Sequence, residues 1–324
     1  MEGKVRRILA TIAALFIGQG AMAQEMPLFT LGAGDVSGGY YSAAWAICDV
    51  VNRQQKGAMR CSPDPTSGSV YNIDALRRGE LDFAMVQSDL QAEAFTGTGR
   101  FLSDGPMPEM RSVLGLYPET MTILVRADLG VTDVRQLAGA RVDLGHPSSG
   151  RRATITRMFS SLGLSEGDFA EVSELPVGIA VDALCNRAID ATFLIVGHPN
   201  EGVVRAIQEC DARILPLTPA EIADVIGGGN DLSVAAIPMG AYAEGALEVP
   251  SFSVTATLVA RTDTPQRMVE AVVADTLAEL QPLGRRAPVL AGLDPMLMQS
   301  RGLTAPLHPG AETAFARVST EDAP

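Results

Sequence analysis

Residues that carry catalysis or bind metals are scarce in this 324-residue chain. It has three scattered histidines (His146, His198, His308) and four cysteines with no CxxC spacing, which leaves a zinc site without local support. No GxSxG elbow, HExxH or SxxK occurs, and no nucleophile stands beside a base, so neither a catalytic centre nor a cofactor is expected. Lysine is confined to Lys4 and Lys56, tryptophan to Trp45, and low-complexity segments are absent. Cationic charge is in deficit too: 25 Lys/Arg face 38 Asp/Glu, a net −13, which argues against nucleic acid and anionic membrane as partners. Past the first 23 residues no apolar stretch is long and charge-free enough to span a bilayer, so no membrane insertion of the mature chain is expected.

The exception is the start. Lys4, Arg6 and Arg7 precede an apolar run over 8–17, and Ala21-Met22-Ala23 supplies the small-x-small cleavage pattern of a secretory signal peptide. The run is short of the ~20 residues an anchor requires. Cleavage near Ala23 removes three bases and one acid, leaving 22 Lys/Arg against 37 Asp/Glu, or −15. An exported chain with an even cysteine count is expected to form disulfides. Three connectivities are open, and the local pairs Cys48–Cys61 and Cys185–Cys210 are favoured because each closes within one lobe.

What the chain does contain is a repeat. Ala75-Leu76-Arg77-Arg78-Gly79-Glu80-Leu81-Asp82-Phe83 aligns without a gap on Ala183-Leu184-Cys185-Asn186-Arg187-Ala188-Ile189-Asp190-Ala191, each a helix end, a turn and a buried strand. Upstream of each lies a strand, a Gly-rich turn and a helix start: Leu31-Gly32 with Ser37-Gly38-Gly39, and Leu144-Gly145 with Ser148-Ser149-Gly150. Alternating short strands and helices predict parallel sheets with right-handed crossovers. The fold class is α/β with two similar lobes, 24–120 plus 252–324 and 121–251. Two crossing segments form the hinge: one over 111–126, broken at Tyr117-Pro118-Glu119, and one over 254–261. A helix over 265–280 with Thr264 as its N-cap follows the second.

Such lobes point Ser/Gly-rich helix N-termini at a shared cleft, which suits a ligand clamp better than a catalyst. Gly32-Ala33-Gly34-Asp35-Val36-Ser37 resembles a dinucleotide loop, but Ser37 replaces the third glycine and no acid ends the second strand. A loop receiving an anion on free backbone N–H groups is the better reading. In the second lobe Ser148 and Ser149 offer hydroxyls, while Arg151 and Arg152 open a helix where cations are unfavourable unless an anion sits beside them. Gly38 and Tyr40, the hydroxyl-rich turn containing Ser67 and Ser69, and the strand ends Gln87-Ser88 and Gly197-His198 complete the candidate binding set.

At these residues the chain resembles the TAXI family of TRAP-transporter solute-binding proteins. The motifs are SGGYY (37–41), PTSGSVYNI (65–73), ELDFAMVQSD (80–89), LYPE (116–119), PSSGRRAT (147–154), AIDATFLIVGHPN (188–200) and APLHPGA (305–311), in order along the mature chain. The resemblance implies an exported two-lobed receptor with the type II periplasmic binding-protein fold, delivering a small organic anion such as glutamate or 2-oxoglutarate to a TRAP membrane permease. It also implies cleft positions at Ser37, Tyr40, Ser67, Ser69, Gln87, Ser88, Ser149 and Arg152. Asp35, Val36 and Ser148 depart from the family pattern. A monomer is expected; an exported enzyme or a sensor on the same scaffold are the alternatives.

Overall fold

The computed structural model describes residues 27–321; the expected signal peptide lies outside them. The chain runs β1 (Leu28–Gly32), α1 (Gly39–Gln54), β2 (Arg60–Asp64), α2 (Ser69–Arg77), β3 (Phe83–Gln87), α3 (Ser88–Thr96) and the long strand β4 (Met110–Arg126). It continues through β5 (Arg141–Asp143), α4 (Gly150–Leu162), β6 (Glu171–Ser173), α5 (Val177–Cys185), β7 (Ala191–Val196), α6 (Glu201–Glu209), β8 (Ala212–Leu215), α7 (Pro219–Ile226) and β9 (Ser233–Ile237). Strand β10 (Val249–Arg261) is followed by α8 (Gln266–Ala278), α9 (Leu280–Arg286), α10 (Pro295–Met298) and α11 (Pro309–Glu321).

The strands form one mixed sheet in the order β2-β1-β3-β10-β4-β7-β5-β6, with β8 on β4 and β9 on β10. Strands β1, β2 and β3 are mutually parallel, as are β5, β6 and β7; β10 runs antiparallel to the first group through β3, β4 runs antiparallel to the second through β7, and β4 and β10 are antiparallel to each other. The two long strands serve both halves. Strand β10 pairs β9 through Val249–Ser253 and β3 through Ala256–Ala260; β4 pairs β10 up to Thr120 and β7 from Thr120 to Val125. Their side chains change core accordingly. Val113, Leu114 and Leu116 join the cluster under α1 and α8, whereas Met121, Ile123 and Val125 join the one under α4 and α7. Strand alternation fills the opposite faces, with Ala84 and Val86 packing under α2 and α3, and Leu194 and Val196 under α5 and α6.

The repeat is structural. Helices α2 and α5 have nine residues each and lie 108 positions apart, and the same offset takes Phe83, the start of β3, to Ala191, the start of β7. Gly79 (φ 71°) and Arg187 (φ 58°) hold the same left-handed turn position. Asp82 accepts the Thr30 N–H at 2.8 Å, and Asp190 accepts the Arg141 N–H at 2.9 Å, so one carboxylate pins the first strand of each half. That pairing, with the helix starts at Gly39 and Gly150, sets Gly34 opposite Gly145 and corrects the expected match of Leu31-Gly32 to Leu144-Gly145.

Two other expectations change. Pro118 does not divide β4, because it sits opposite Thr255, where the pairing with β10 slips register and a missing donor is tolerated. Thr264 does not cap α8: its Oγ1 accepts the Arg261 N–H at 3.2 Å, and Pro265 is the N-cap residue. The disulfides are the two local pairs, Cys48–Cys61 with a Cα separation of 5.0 Å and Cys185–Cys210 with 4.8 Å.

Candidate functional site

A cleft of about 950 Å³ opens where the C-terminal ends of the parallel strands of both halves face each other. Gly34 beyond β1, Thr66 beyond β2 and Gln87 ending β3 form one wall; Gly145 beyond β5 and Val196 ending β7 form the other. This is the edge at which parallel α/β sheets leave backbone and helix termini free for ligands. Five helices begin here, at Gly39 (α1), Ser69 (α2), Gly150 (α4), Val177 (α5) and Glu201 (α6). Side chains cap two of them, Ser149 on the Arg152 N–H and Asn200 on the Val203 N–H. Helices α1, α2 and α5 start at Gly38, Gly68 and Pro176 with no side-chain cap, so their positive dipole ends face the cleft; in α2 one first-turn donor, the Tyr71 N–H, is taken by the Ser148 carbonyl.

Of the residues expected from the sequence, Ser37, Gly38, Tyr40, Ser67, Ser69, Gln87, Ser149, Arg151 and Gly197 line the cleft. Ser37 is turned onto Asp35, donating from Oγ and, at 2.9 Å, from its backbone N–H. Ser69 Oγ accepts the Gln87 N–H at 3.2 Å. Gly150 sits so close to the first wall that a Cβ there would meet Gln87 Oε1 and Ser69 Oγ. Four expected residues lie elsewhere. Ser88 Oγ donates to the Asp231 carbonyl (2.6 Å) and accepts the Thr255 N–H (2.9 Å), tying α3 to β10. The Ser148 carbonyl accepts the Tyr71 N–H at 3.2 Å, a direct contact across the cleft edge. His198 is stacked edge-on against Tyr242, bonds Thr122 Oγ1 at 2.9 Å and has a pKa lowered by burial to about 4.

The arginine pair departs most from expectation. Arg151 is buried and fully engaged: it pairs with Asp143 and donates to Thr192 Oγ1 (3.0 Å) and to the carbonyls of Phe193 and Leu175. Arg152 turns out of the cleft to Glu166, with a bidentate contact at 2.8 and 2.7 Å, and donates to the Gly145 carbonyl at 3.0 Å. Their unfavourable position at a helix N-terminus is offset by protein carboxylates. Arg205, the other arginine on the cleft, pairs with Asp182 at 2.6 Å.

Two groups on the cleft were not expected. The start of α5 could have been found by moving Ser69 along the 108-residue offset to Val177. Glu119, in the LYPE motif, carried no signal because an isolated acid on a strand reads as solvent-facing. It lines the cleft yet is only 7% exposed. Its carboxyl is pushed up to about 8, mainly by burial, partly countered by the Tyr40 hydroxyl and reinforced by Asp89. The Tyr40 hydroxyl, the Tyr117 hydroxyl and Gln87 Oε1 are all buried without a hydrogen-bond partner of good geometry. Among the described residues no cluster could hold a metal ion, and no helix is long and apolar enough to cross a membrane.

The NMT1-like family profile matches residues 31–316, and the chain belongs to this family. Solved structures agree on the fold. MatC from Rhodopseudomonas palustris, bound to malate, superposes with a TM-score of 0.56 at 15% identity over 91% of this chain and 96% of its own. The periplasmic binding protein BugD gives 0.55 at 14% identity over 92% and 94%, and a protein of Bordetella bronchiseptica RB50 gives 0.51 at 18% over 90% and 89%. Two lobes around a cleft are the architecture of periplasmic binding proteins.

Proposed function

We propose that the protein is the periplasmic receptor of a TRAP-type secondary transporter of the TAXI kind. Exported after cleavage near Ala23, it closes lobes 24–120 plus 252–324 and 121–251 on one small organic anion, a glutamate- or 2-oxoglutarate-like carboxylate, for its membrane permease. The observation that carries this reading is three helix N-termini without a side-chain cap, α1 and α2 from one side and α5 from the other, at one cleft whose arginines are already paired. Backbone donors and helix dipoles then supply what a carboxylate needs, with hydroxyls of Ser67, Ser69 and Ser149 beside them. MatC holds malate, so this fold accommodates a small dicarboxylate. Native mass spectrometry of the receptor purified without added ligand, followed by calorimetry with 2-oxoglutarate and L-glutamate, tests it. Release of a carboxylate that rebinds with micromolar affinity is expected. A cationic or neutral copurifying solute would sink the reading.

A further inference from the structure

Resting on that anion-receptor reading, the structure assigns Glu119 a specific part: it stays a neutral carboxylic acid in the ligand complex and donates a hydrogen bond to the bound anion. Its carboxyl forms part of the cleft wall and is almost fully withdrawn from water, yet among the described residues no arginine or lysine compensates it. The groups that face it are Tyr40 from α1, Tyr117 from its own strand and Asp89 from α3; all are neutral or acidic, and Ser69 on α2 is neutral. Arg151, on the opposite wall, is committed to Asp143. An ionised Glu119 would therefore meet an incoming carboxylate as a second anion of like charge, a repulsion that a low-dielectric site does little to screen. A protonated one offers an O–H to the ligand beside the Tyr40 hydroxyl, which lines the same wall and interacts with it. The acid and the Tyr40 phenol, both on the cleft wall, then make a neutral donor surface beside the start of α1.

Proton linkage follows. With the free carboxyl titrating at about 8, an anion that binds only the protonated form is held with constant affinity below that pH. Above it, affinity falls about tenfold per unit, with uptake of one proton on binding. Glu119→Gln keeps a neutral donor and removes the titration.

The experiment combines infrared spectroscopy of the unliganded protein from pH 6 to 10 with calorimetry of 2-oxoglutarate binding at pH 7 and 9, in buffers of different ionisation enthalpy. A protonated-carboxyl C=O band present at pH 7, lost near pH 8 and missing in Glu119→Gln is expected. With Asp89→Asn as the common background, so that Asp89 does not titrate, affinity should fall roughly tenfold between pH 7 and 9 with proton uptake, while adding Glu119→Gln leaves binding at pH 7 within about threefold and removes the slope. The assignment is overturned if the band is absent at pH 7, or if the variant keeps the slope. It is overturned equally if Glu119→Gln loses more than about tenfold at pH 7 while the Asp89→Asn background is flat, since Glu119 would then act as an ionised acceptor. Should neither 2-oxoglutarate nor L-glutamate bind the wild type, the carboxylate reading falls and the donor role with it; the infrared band then shows separately whether the proton is held.

Discussion

Arg151 and Arg152 are chain neighbours whose loss should have different consequences. Asp143 is fully buried and accepts from Arg151, from Thr192 Oγ1 at 2.9 Å and from the Leu175 N–H at 2.8 Å. Asp143→Ala leaves the Arg151 guanidinium buried without its counter-charge. A loss of about 3–5 kcal/mol in denaturant unfolding is expected. Arg152→Ala removes a contact to Glu166, whose side chain is 45% exposed. That pair is worth ~0–1 kcal/mol, and calorimetry should show ligand affinity unchanged. A tenfold weaker Kd for Arg152→Ala would mean that this side chain swings back to the cleft when ligand arrives. The sequence marked the arginine pair correctly as unusual. It could not show that Asp143 and Glu166, at strand and turn positions on either side, supply the anions.

At the scale of the element, the repeated helix–turn–strand unit supports a sharper test. Gly79 and Arg187 hold the same positive-φ position after α2 and α5. At Gly79 a Cβ would meet no atom within 4 Å, so Gly79→Ala isolates the backbone term and should cost about 1 kcal/mol. A neutral result in thermal unfolding would show that the turn relaxes. The same unit carries a staple in the second half, where Cys185 ending α5 bonds Cys210 at the end of α6. Cys185→Ser with Cys210→Ser should lower stability by ~3 kcal/mol, on the loop-closure estimate. Non-reducing peptide mapping should recover both local crosslinks. A Cys48–Cys185 peptide would contradict independent halves.

Across the whole molecule, the two sides already touch at the cleft edge. The Thr154 hydroxyl on α4 donates to the Asp89 carboxylate on α3 at 2.6 Å, and the Tyr71 N–H reaches the Ser148 carbonyl. Burial pushes the Asp89 carboxyl up to about 7, the Thr154 bond opposing the shift and Glu93 adding to it. Because this pKa is raised above the unfolded carboxylate value of roughly 4, the stabilisation is complete below roughly pH 4 and lost as pH rises through about 7. An ionised Asp89 gains by reaching water, so the unliganded protein should open above neutrality. Small-angle scattering should show a larger radius of gyration at pH 8 than at pH 6. Asp89→Asn should remove that difference, and saturating ligand should shrink the wild type at either pH. An unchanged radius on ligand saturation would point to a rigid pocket in one half.

How much of this protein its sequence determined follows from what is local. The strand–turn–helix order, the two matched units, the Ser/Gly-rich helix starts and the local disulfide pairs depend on periodicity, turn residues and short spacings, all of which are written along the chain. Pro118 and Thr264 were misread because their roles depend on a register slip against β10 and on the Arg261 turn, which belong to pairing rather than to propensity. The chemistry of the cleft was decided by tertiary structure alone. Burial turned Glu119 from an ordinary acid on a strand into a carboxyl that resists ionisation, and Asp143 and Glu166 turned two cationic candidates inward and away. Charge in a protein acts through desolvation and through neighbours distant in sequence, so only the assembled cleft shows which groups are free for a ligand.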